Sequence, residues 1–268
     1  MSKQITSLQN PLIRNILLLE EKPRERRQQD LAVIEGLREF RLALASGFTV
    51  PTILYCPEIL GLVETERLQS LEGPFERVEI TCNVFNKLAY RKDAGGIIAT
   101  VEPRRLQFHD LRFDAQPLFL VLETVEKPGN LGAILRTADA ANLDGVIICD
   151  PQTDIYNPNA IRSSLGCIFT MPVVTATTGD ALSWFKEKGI RTFGTALTAT
   201  RFYHETDFRL PAAIIMGSEA FGLSQKWLDE ADELVKIPMQ GKVDSMNVSA
   251  SAAVVVFETL RQRGFRQD

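Results

Sequence analysis

Residues 122–150 read LETVEKPGNLGAILRTADAANLDGVIICD, and this stretch decides the fold class. It contains an apolar run, a break at Pro128-Gly129, an amphipathic segment and a second apolar run, which is the order of a strand–helix–strand unit. The G-x-G-x-x-G loop with which such units bind dinucleotide phosphates is missing. Asn130, Gly132 and Arg136 stand in its place, so the stretch predicts an α/β protein without the usual nucleotide loop.

The same alternation continues to the end of the chain. LFLVLE, GVIICD, MPVVTA, RTFGTAL, AAIIMG and LVKIPM are predicted as strands, and helices are predicted around 131–142, 157–165, 179–188, 224–231 and 247–263. Continuous apolar strands spaced by helices indicate a parallel sheet covered on both faces. Ligands of such sheets collect at the carboxyl ends of the strands.

The first part of the chain predicts a separate, smaller domain. Residues 1–105 carry shorter apolar runs such as LAVIEG, PTILYC and GGIIATVE between helical segments. Residues 106–117 are polar and bounded by proline, and we interpret them as a linker. The predicted domains are therefore 1–105, with an α/β fold, and 118–268, with the parallel sheet.

Composition excludes several classes of protein. The 268 residues contain no apolar run near the roughly 20 residues of a membrane span, and no signal-peptide core is seen at the start. The four cysteines are far apart in sequence, and two histidines are too few for a histidine-based metal site. We therefore expect a cytoplasmic protein with buried free thiols, no metal and no membrane contact.

The charge is unevenly distributed. The net charge is −4, but residues 1–113 hold 16 Lys/Arg against 15 Asp/Glu, a balance of +1, and the remainder holds 14 against 19, a balance of −5. Arg24, Arg26 and Arg27 form a basic cluster in EKPRERR and are candidate RNA contacts. A solvated surface is the alternative interpretation of such a cluster.

Small and polar residues follow several predicted strands of the second domain. GSEAFG at 217–222 would let the backbone wrap around a ligand, or it makes an ordinary turn. Ile237-Pro238-Met239 ends another strand, and the next helix begins with SMNVS at 245–249, which has more polar groups than capping needs. In NPNAIRSSLG, Arg162 and Ser164 are candidate phosphate contacts, although a solvated helix face explains them equally well.

Together these segments resemble the motifs of the SpoU family of RNA 2′-O-ribose methyltransferases, in the SPOUT superfamily. The family's N-x-G-x-x-x-R is matched by 130–136, its G-[SA]-E-x-x-G by 217–222, and its I-P-M with S-[LM]-N-V-S by 237–249. The order and spacing of all three agree. VIEGLREFRLAL and GGIIATVEP also resemble the ribosomal-protein-like RNA-binding domain that precedes the catalytic domain in many members.

The resemblance implies a trefoil knot near the C-terminus in which three strand-end loops bind S-adenosylmethionine. The cofactor-binding positions that it implies are Thr195, Ala196, Leu197, Met216, Gly217, Ile237, Met239, Met246 and Ser249. The family usually forms homodimers through this domain, with both protomers shaping the RNA site.

The resemblance also implies the catalytic residues. Arg136 would face the RNA at the ribose 2′-hydroxyl, and we expect it to position and stabilise charge because an arginine with a pKa above about 12 is a poor base. Four further residues would orient Arg136 and the ribose: Asn130, Glu219, Ser245 and Asn247.

The additional N-terminal domain favours ribosomal RNA, 23S rRNA in particular, because the family's tRNA enzymes generally lack it. A tRNA 2′-O-methyltransferase stays open, as does a non-enzymatic RNA-binding or ribosome-assembly protein on the same scaffold. A dehydrogenase on a doubly wound sheet is disfavoured because no strand is followed by G-x-G-x-x-G.

Overall fold

The computed structural model describes residues 3–91 and 94–265, and the chain divides into two compact units. The first unit comprises the chain up to Arg104 together with Tyr156–Thr170. The second comprises Arg105–Ile155 together with the chain from Met171. Residues 156–170, which lie inside the second predicted domain, thus cluster with the first unit, and the domain limits themselves stay a prediction.

The first unit is a mixed α/β structure. Its strands are β1 (Lys3–Ile5), β2 (Ala32–Glu35), β3 (Thr52–Tyr55), β4 (Glu76–Ile80) and β5 (Ile97–Val101). Its helices before residue 105 are α1 (Pro11–Glu21), α2 (Pro23–Gln29), α3 (Leu37–Ala45), α4 (Pro57–Leu60), α5 (Leu62–Ser70) and α6 (Cys82–Leu88). The sheet order is β1-β4-β3-β5-β2, in which β5 runs antiparallel to both of its neighbours and the other pairs are parallel.

From residue 105 the chain contains the six predicted strands and the five predicted helices, together with one short strand and one short α-helix that were not predicted. The strands are β6 (Leu118–Glu123), β7 (Gly145–Cys149), β8 (Val173–Ala176), β9 (Arg191–Thr195), β10 (Arg201–Phe202), β11 (Ala212–Met216) and β12 (Glu233–Lys236). The helices are α7 (Pro128–Ala140), α8 (Pro158–Ser163), α9 (Cys167–Thr170), α10 (Thr178–Lys188), α11 (Gln225–Glu230) and α12 (Val248–Gln262), of which α8 and α9 belong to the first unit.

The second unit contains a seven-stranded parallel sheet in the order β10-β12-β9-β11-β6-β7-β8. The central strands are buried along their whole length, as their continuous apolar sequence predicts. Within the described ranges, no helix is long and apolar enough to cross a bilayer.

The segment 106–117, predicted as a linker, packs on the core of the second unit. Phe108 stacks on Trp184 with ring centroids 4.8 Å apart, and Phe113 meets Phe119 edge to face at 5.4 Å. Leu111 is buried in the same cluster. The polar composition of the segment concealed these apolar anchors, which make it an integral part of the second unit.

Two arginines hold buried carboxylates in the first unit. Glu35 is 2% exposed, and it accepts a hydrogen bond from Arg162 Nη1 at 2.9 Å and another from the backbone N–H of Arg91 at 2.7 Å. Arg91 also pairs with the buried Glu39 at 3.6 Å.

Glu20 Oε1 is buried and receives no hydrogen bond from the described residues. Burial, reinforced by the charge of Glu35, raises the pKa of Glu20 to about 7.

Replacing Glu20 with Gln is expected to raise the free energy of unfolding at pH 8 by about 1–3 kcal/mol and to change it little near pH 4.5. The folded chain keeps the Glu20 proton up to about pH 7, whereas the unfolded chain releases it near 4.5, so native stability falls as pH rises through that window. Urea unfolding at both pH values measures the difference. Glu72→Gln, at an exposed position, is the matched control, and an equal gain from Glu20→Gln at both pH values would contradict the ionisation argument.

Candidate active site

The candidate site lies where neighbouring parallel strands end. Strands β9, β11 and β6 pair side by side, and β12 pairs with β9 on its other side. Because all of them run in one direction, the loops that follow them leave from the same edge of the sheet. Thr195 and Met216 end two of these strands, and the other predicted cofactor residues lie in the segments that follow β9, β11 and β12.

Three predicted catalytic residues form one hydrogen-bonded set. The side-chain amide of Asn130, on α7, donates to Glu219 Oε1 in the loop after β11. Asn247 Nδ2, at the start of α12, donates to Asn130 Oδ1 at 3.1 Å. The other carboxylate oxygen, Glu219 Oε2, is buried and receives no hydrogen bond from the described part of the chain. A buried acceptor without a donor is costly, so this atom is suited to receive a donor from a ligand.

Asn247 has a second role as the N-cap of α12. Its Oδ1 accepts a hydrogen bond from the backbone N–H of Ser249 at 2.9 Å and another from the Ser249 hydroxyl. The side chain therefore satisfies a free N–H of the first helical turn while its amide nitrogen holds Asn130. Ser245 lies in the exposed loop before the helix, where its hydroxyl donates to Asp244 at 3.2 Å.

The loop after β11 is closed so tightly that it requires a glycine at its start. Ser218 and Gly222 exchange two backbone hydrogen bonds of 3.0 Å. A Cβ atom on Gly217 would lie 2.2 Å from the carbonyl carbon of Gly222 and 2.4 Å from the nitrogen of Leu223. Backbone cannot yield as a flexible side chain can, so a larger residue would open the loop.

The other strand-end loops combine fixed backbone with accessible apolar side chains. The Thr195 hydroxyl donates to the carbonyl of Ile215 at 2.8 Å, which ties the end of β9 to β11. Five predicted cofactor residues in these loops are partly or fully exposed: Ala196, Leu197, Ile237, Met239 and Met246. Their side chains can contact a ligand without rearrangement of the sheet.

Glu123 is a residue of this edge that the sequence analysis did not select. It ends β6, is 3% exposed, and accepts hydrogen bonds from the Thr178 hydroxyl at 3.1 Å and from the backbone N–H of Ser224 at 2.7 Å. It thereby fixes the N-terminal ends of α10 and α11 against the sheet. The sequence signal that could have identified Glu123 is an acidic residue at the end of an otherwise apolar strand.

Arg136 is placed differently from the other predicted catalytic residues. It lies on an exposed position of α7, and the described residues give it neither a hydrogen bond nor an ion pair. A single chain therefore does not bring its guanidinium into the set formed by Asn130, Glu219 and Asn247.

Of the three arginines on α2 that were predicted to contact RNA, two are exposed and one is buried. Arg24 and Arg27 are exposed on α2. Arg26 is 3% exposed, and its guanidinium donates to the carbonyl of Leu19 at 2.6 Å, at the end of α1. It therefore stabilises a helix end and is not available to RNA, which corrects its assignment.

Two further predicted phosphate contacts are engaged within the first unit. Ser164 is fully buried, and its hydroxyl donates to the carbonyl of Ile161 at 2.8 Å, so its assignment as a phosphate contact is also corrected. The Arg162 guanidinium is held by Glu35 and lies 4.4 Å from the ring centre of Tyr90. Its main role in this structure is to neutralise a buried carboxylate.

One group of potential metal ligands is present among the described residues, and it lies in the first unit, not at the candidate site. The sulfur atoms of Cys56 and Cys82 and a carboxylate oxygen of Glu58 lie within 4.8 Å of one another. The candidate site instead offers amides, a carboxylate and hydroxyls, which are groups that recognise a polar organic ligand.

Comparisons with known proteins identify the relatives of both parts of the chain. Residues 117–257 match the SpoU rRNA Methylase family, and residues 10–99 match the MRM3-like substrate binding domain. The chain is 30% identical to the 23S rRNA (guanosine(2553)-2′-O)-methyltransferase of Bacillus subtilis, with 95% of this chain and 98% of the relative covered.

Two solved structures show the same fold over nearly the whole chain. An RNA 2′-O ribose methyltransferase has a TM-score of 0.84 at 36% identity, covering 97% of this chain and 99% of its own. An AdoMet-bound rRNA methyltransferase from Sinorhizobium meliloti has a TM-score of 0.88 at 29% identity, covering 97% and 98%. The predicted family and α/β fold class are thereby confirmed. The chain belongs to the SpoU rRNA methylase family.

Proposed function

We propose that this protein transfers a methyl group from S-adenosylmethionine to a ribose 2′-hydroxyl in RNA, with ribosomal RNA as its substrate. The observation that carries the proposal is the hydrogen-bonded set of Asn130, Glu219 and Asn247, because it joins one residue from each of the three family motifs. Relatives named as rRNA 2′-O-methyltransferases support the same class of enzyme. A non-enzymatic RNA-binding role gives no reason for the buried, unpaired oxygen of Glu219.

S-adenosylmethionine suits the groups that the strand-end loops present, and a relative from Sinorhizobium meliloti has been solved with AdoMet bound. We assign the backbone around Met216 and Gly217 to the polar edge of the cofactor, and the exposed side chains of Leu197, Ile237 and Met246 to its apolar parts. When bound, the cofactor supplies a methyl group on an electron-deficient sulfur. The predicted trefoil knot belongs to this proposal.

Arg136 is assigned to the substrate. Its exposed guanidinium offers up to five donors in a planar fork that suits a phosphate beside the reacting ribose. Holding that phosphate would orient the 2′-hydroxyl for in-line attack. Glu219 Oε2 is assigned to accept a hydrogen bond from the ribose, and Ser245 to the same polar surface.

A homodimer through the methyltransferase domain completes the proposal. The second unit exposes further large apolar side chains, not assigned to the cofactor, that would be costly to leave in water: Leu210, Phe221, Val243, Phe257 and Phe265. Burying them against a second copy of the chain removes this cost. A shared site also gives the exposed Arg136 a role that it does not have within one chain.

The first unit is assigned to RNA recognition. It contains the match to a substrate-binding domain, and Arg24 and Arg27 are exposed on it. The predicted cytoplasmic location is retained in this proposal, because an rRNA substrate and free cysteines both agree with it.

Replacing Arg136 with Ala is expected to lower methyl transfer to ribosomal RNA on the order of 100-fold, because the ribose is no longer oriented. Incorporation of tritium from labelled S-adenosylmethionine measures the rate, and calorimetry is expected to show unchanged cofactor affinity. Arg209→Ala, which removes an exposed arginine paired with Asp207, is the control and should leave the rate unchanged. Native activity in the Arg136 variant would contradict its assignment.

Replacing Gly217 with Ala is expected to abolish measurable S-adenosylmethionine binding, because the new Cβ forces the 217–222 loop apart. Gly129→Ala is the matched control, since a Cβ at Gly129 meets no atom within 4 Å. Calorimetric titration of both folded variants with the cofactor measures the effect. Native affinity in the Gly217 variant would remove this loop from the cofactor site.

Replacements of Asn247 separate its two roles. Asn247→Ala is expected to lower the free energy of unfolding by about 1 kcal/mol through loss of the N-cap, and to lower methyl transfer as well. Asn247→Ser keeps a capping oxygen but is too short to hold Asn130, so stability is expected to stay within a few tenths of a kcal/mol while methyl transfer still falls. Urea unfolding and the tritium assay provide the two measurements. Full activity in the Ser variant would show that capping is the sole role of Asn247.

A further inference from the structure

The first unit brings together two cysteines that are 26 positions apart in the sequence. Cys56 follows the last residue of β3, and Cys82 begins α6 shortly after β4. Because β3 and β4 are parallel neighbours, both residues leave from the same edge of the sheet. Their sulfur atoms lie 3.3 Å apart, and both cysteines are free.

The two thiols differ in environment. Cys56 is buried, and its S–H donates to Glu58 Oε2 at 3.3 Å, whereas Cys82 is partly exposed. Burial raises the pKa of the Cys56 thiol to about 12, and its contacts with Cys82 and Glu58 add to the effect. Cys82 is therefore the thiol that an external reagent would meet first.

We propose that Cys56 and Cys82 form a reversible dithiol–disulfide site, oxidised by a small disulfide such as oxidised glutathione. The thiolate of Cys82 attacks one sulfur of the reagent, which forms a mixed disulfide and releases one small thiolate. The thiolate of Cys56 then attacks the sulfur of Cys82, which forms the internal disulfide and releases the second small thiolate. The two protein thiols lose two electrons, the reagent gains them, and the two protons pass to the two released thiols.

The geometry favours this site over a metal centre. Sulfur atoms 3.3 Å apart need to approach only to the roughly 2.05 Å of a disulfide. Two thiolates on one tetrahedral zinc ion, each about 2.3 Å from the metal, would instead stand about 3.8 Å apart. Glu58 is the one further ligand in the group, which leaves a tetrahedral ion a ligand short among the described residues.

The test uses the full chain treated with excess oxidised glutathione. Free thiols are counted under denaturing conditions, and linked peptides are identified by mass spectrometry. We expect two of the four thiols to be lost, a peptide pair joining Cys56 to Cys82, and full recovery with dithiothreitol. The bond would close a 26-residue separation, so we also expect the thermal midpoint of the first unit to rise by several degrees.

Variants distinguish the roles of the three residues. In the Cys56→Ser variant, oxidation should stop at a mixed disulfide between glutathione and Cys82. The Cys82→Ser variant should form no internal disulfide. The Glu58→Gln variant should form the internal disulfide several-fold faster, because loss of the carboxylate lowers the pKa of Cys56. Cys167→Ala, at a separate buried cysteine, is the matched control and should still form the link.

Three results from the native chain would overturn the proposal. The first is that neither thiol reacts, and the second is that a stable mixed disulfide forms without the internal link. The third is that the purified chain holds one metal ion per molecule, and that this ion protects both thiols until a chelator removes it. Because this test needs neither RNA nor S-adenosylmethionine, its failure leaves the proposed methyl transfer untouched.

Discussion

The side-chain amide of Asn130 is the group on which the candidate site depends. It donates to Glu219 and accepts from Asn247, residues 89 and 117 positions further along the chain. A primary amide can donate and accept at the same time, whereas an aspartate in its place would lose the donor and repel Glu219. The start of α7, the loop after β11 and the start of α12 must therefore keep their mutual positions for this one side chain to be satisfied.

The parallel sheet supplies the rigidity that such an arrangement needs. Its strands end at one edge, so residues far apart in sequence are fixed close together before any ligand arrives. Glu123, at the end of β6, anchors the starts of α10 and α11, and Gly217 permits the tight closure of the loop after β11. The polar groups are thus oriented by folding itself, which is how a site avoids reorganisation during a reaction.

The sequence predicted the parts of the structure whose cause is local. The strands of the second unit were recognisable because continuous apolar runs are the mark of a sheet buried on both faces. Arg26, on α2, and Ser164, the C-cap residue of α8, were misassigned because both helices are short, and too few turns exist for periodicity to reveal the buried side. Cys56 and Cys82 looked unrelated because only the pairing of β3 with β4 brings their sulfurs into contact. The resemblance identified Arg136, but its exposed position within one chain follows from no local pattern.

The acidic composition of the chain is a weaker objection to an RNA substrate than the net charge of −4 suggests. Among the described residues, the buried carboxylates of Glu35 and Glu39 are paired with the guanidinium groups of Arg162 and Arg91, so these acidic groups are neutralised locally. Glu20, with its pKa raised to about 7, carries only part of its charge at neutral pH. Salt also screens exposed charges beyond about 8–10 Å, so a phosphate responds to the arginines beside it more than to the distant acidic residues. Local arginines can therefore attract RNA to an acidic protein, provided that the carboxylates near them are buried or neutralised.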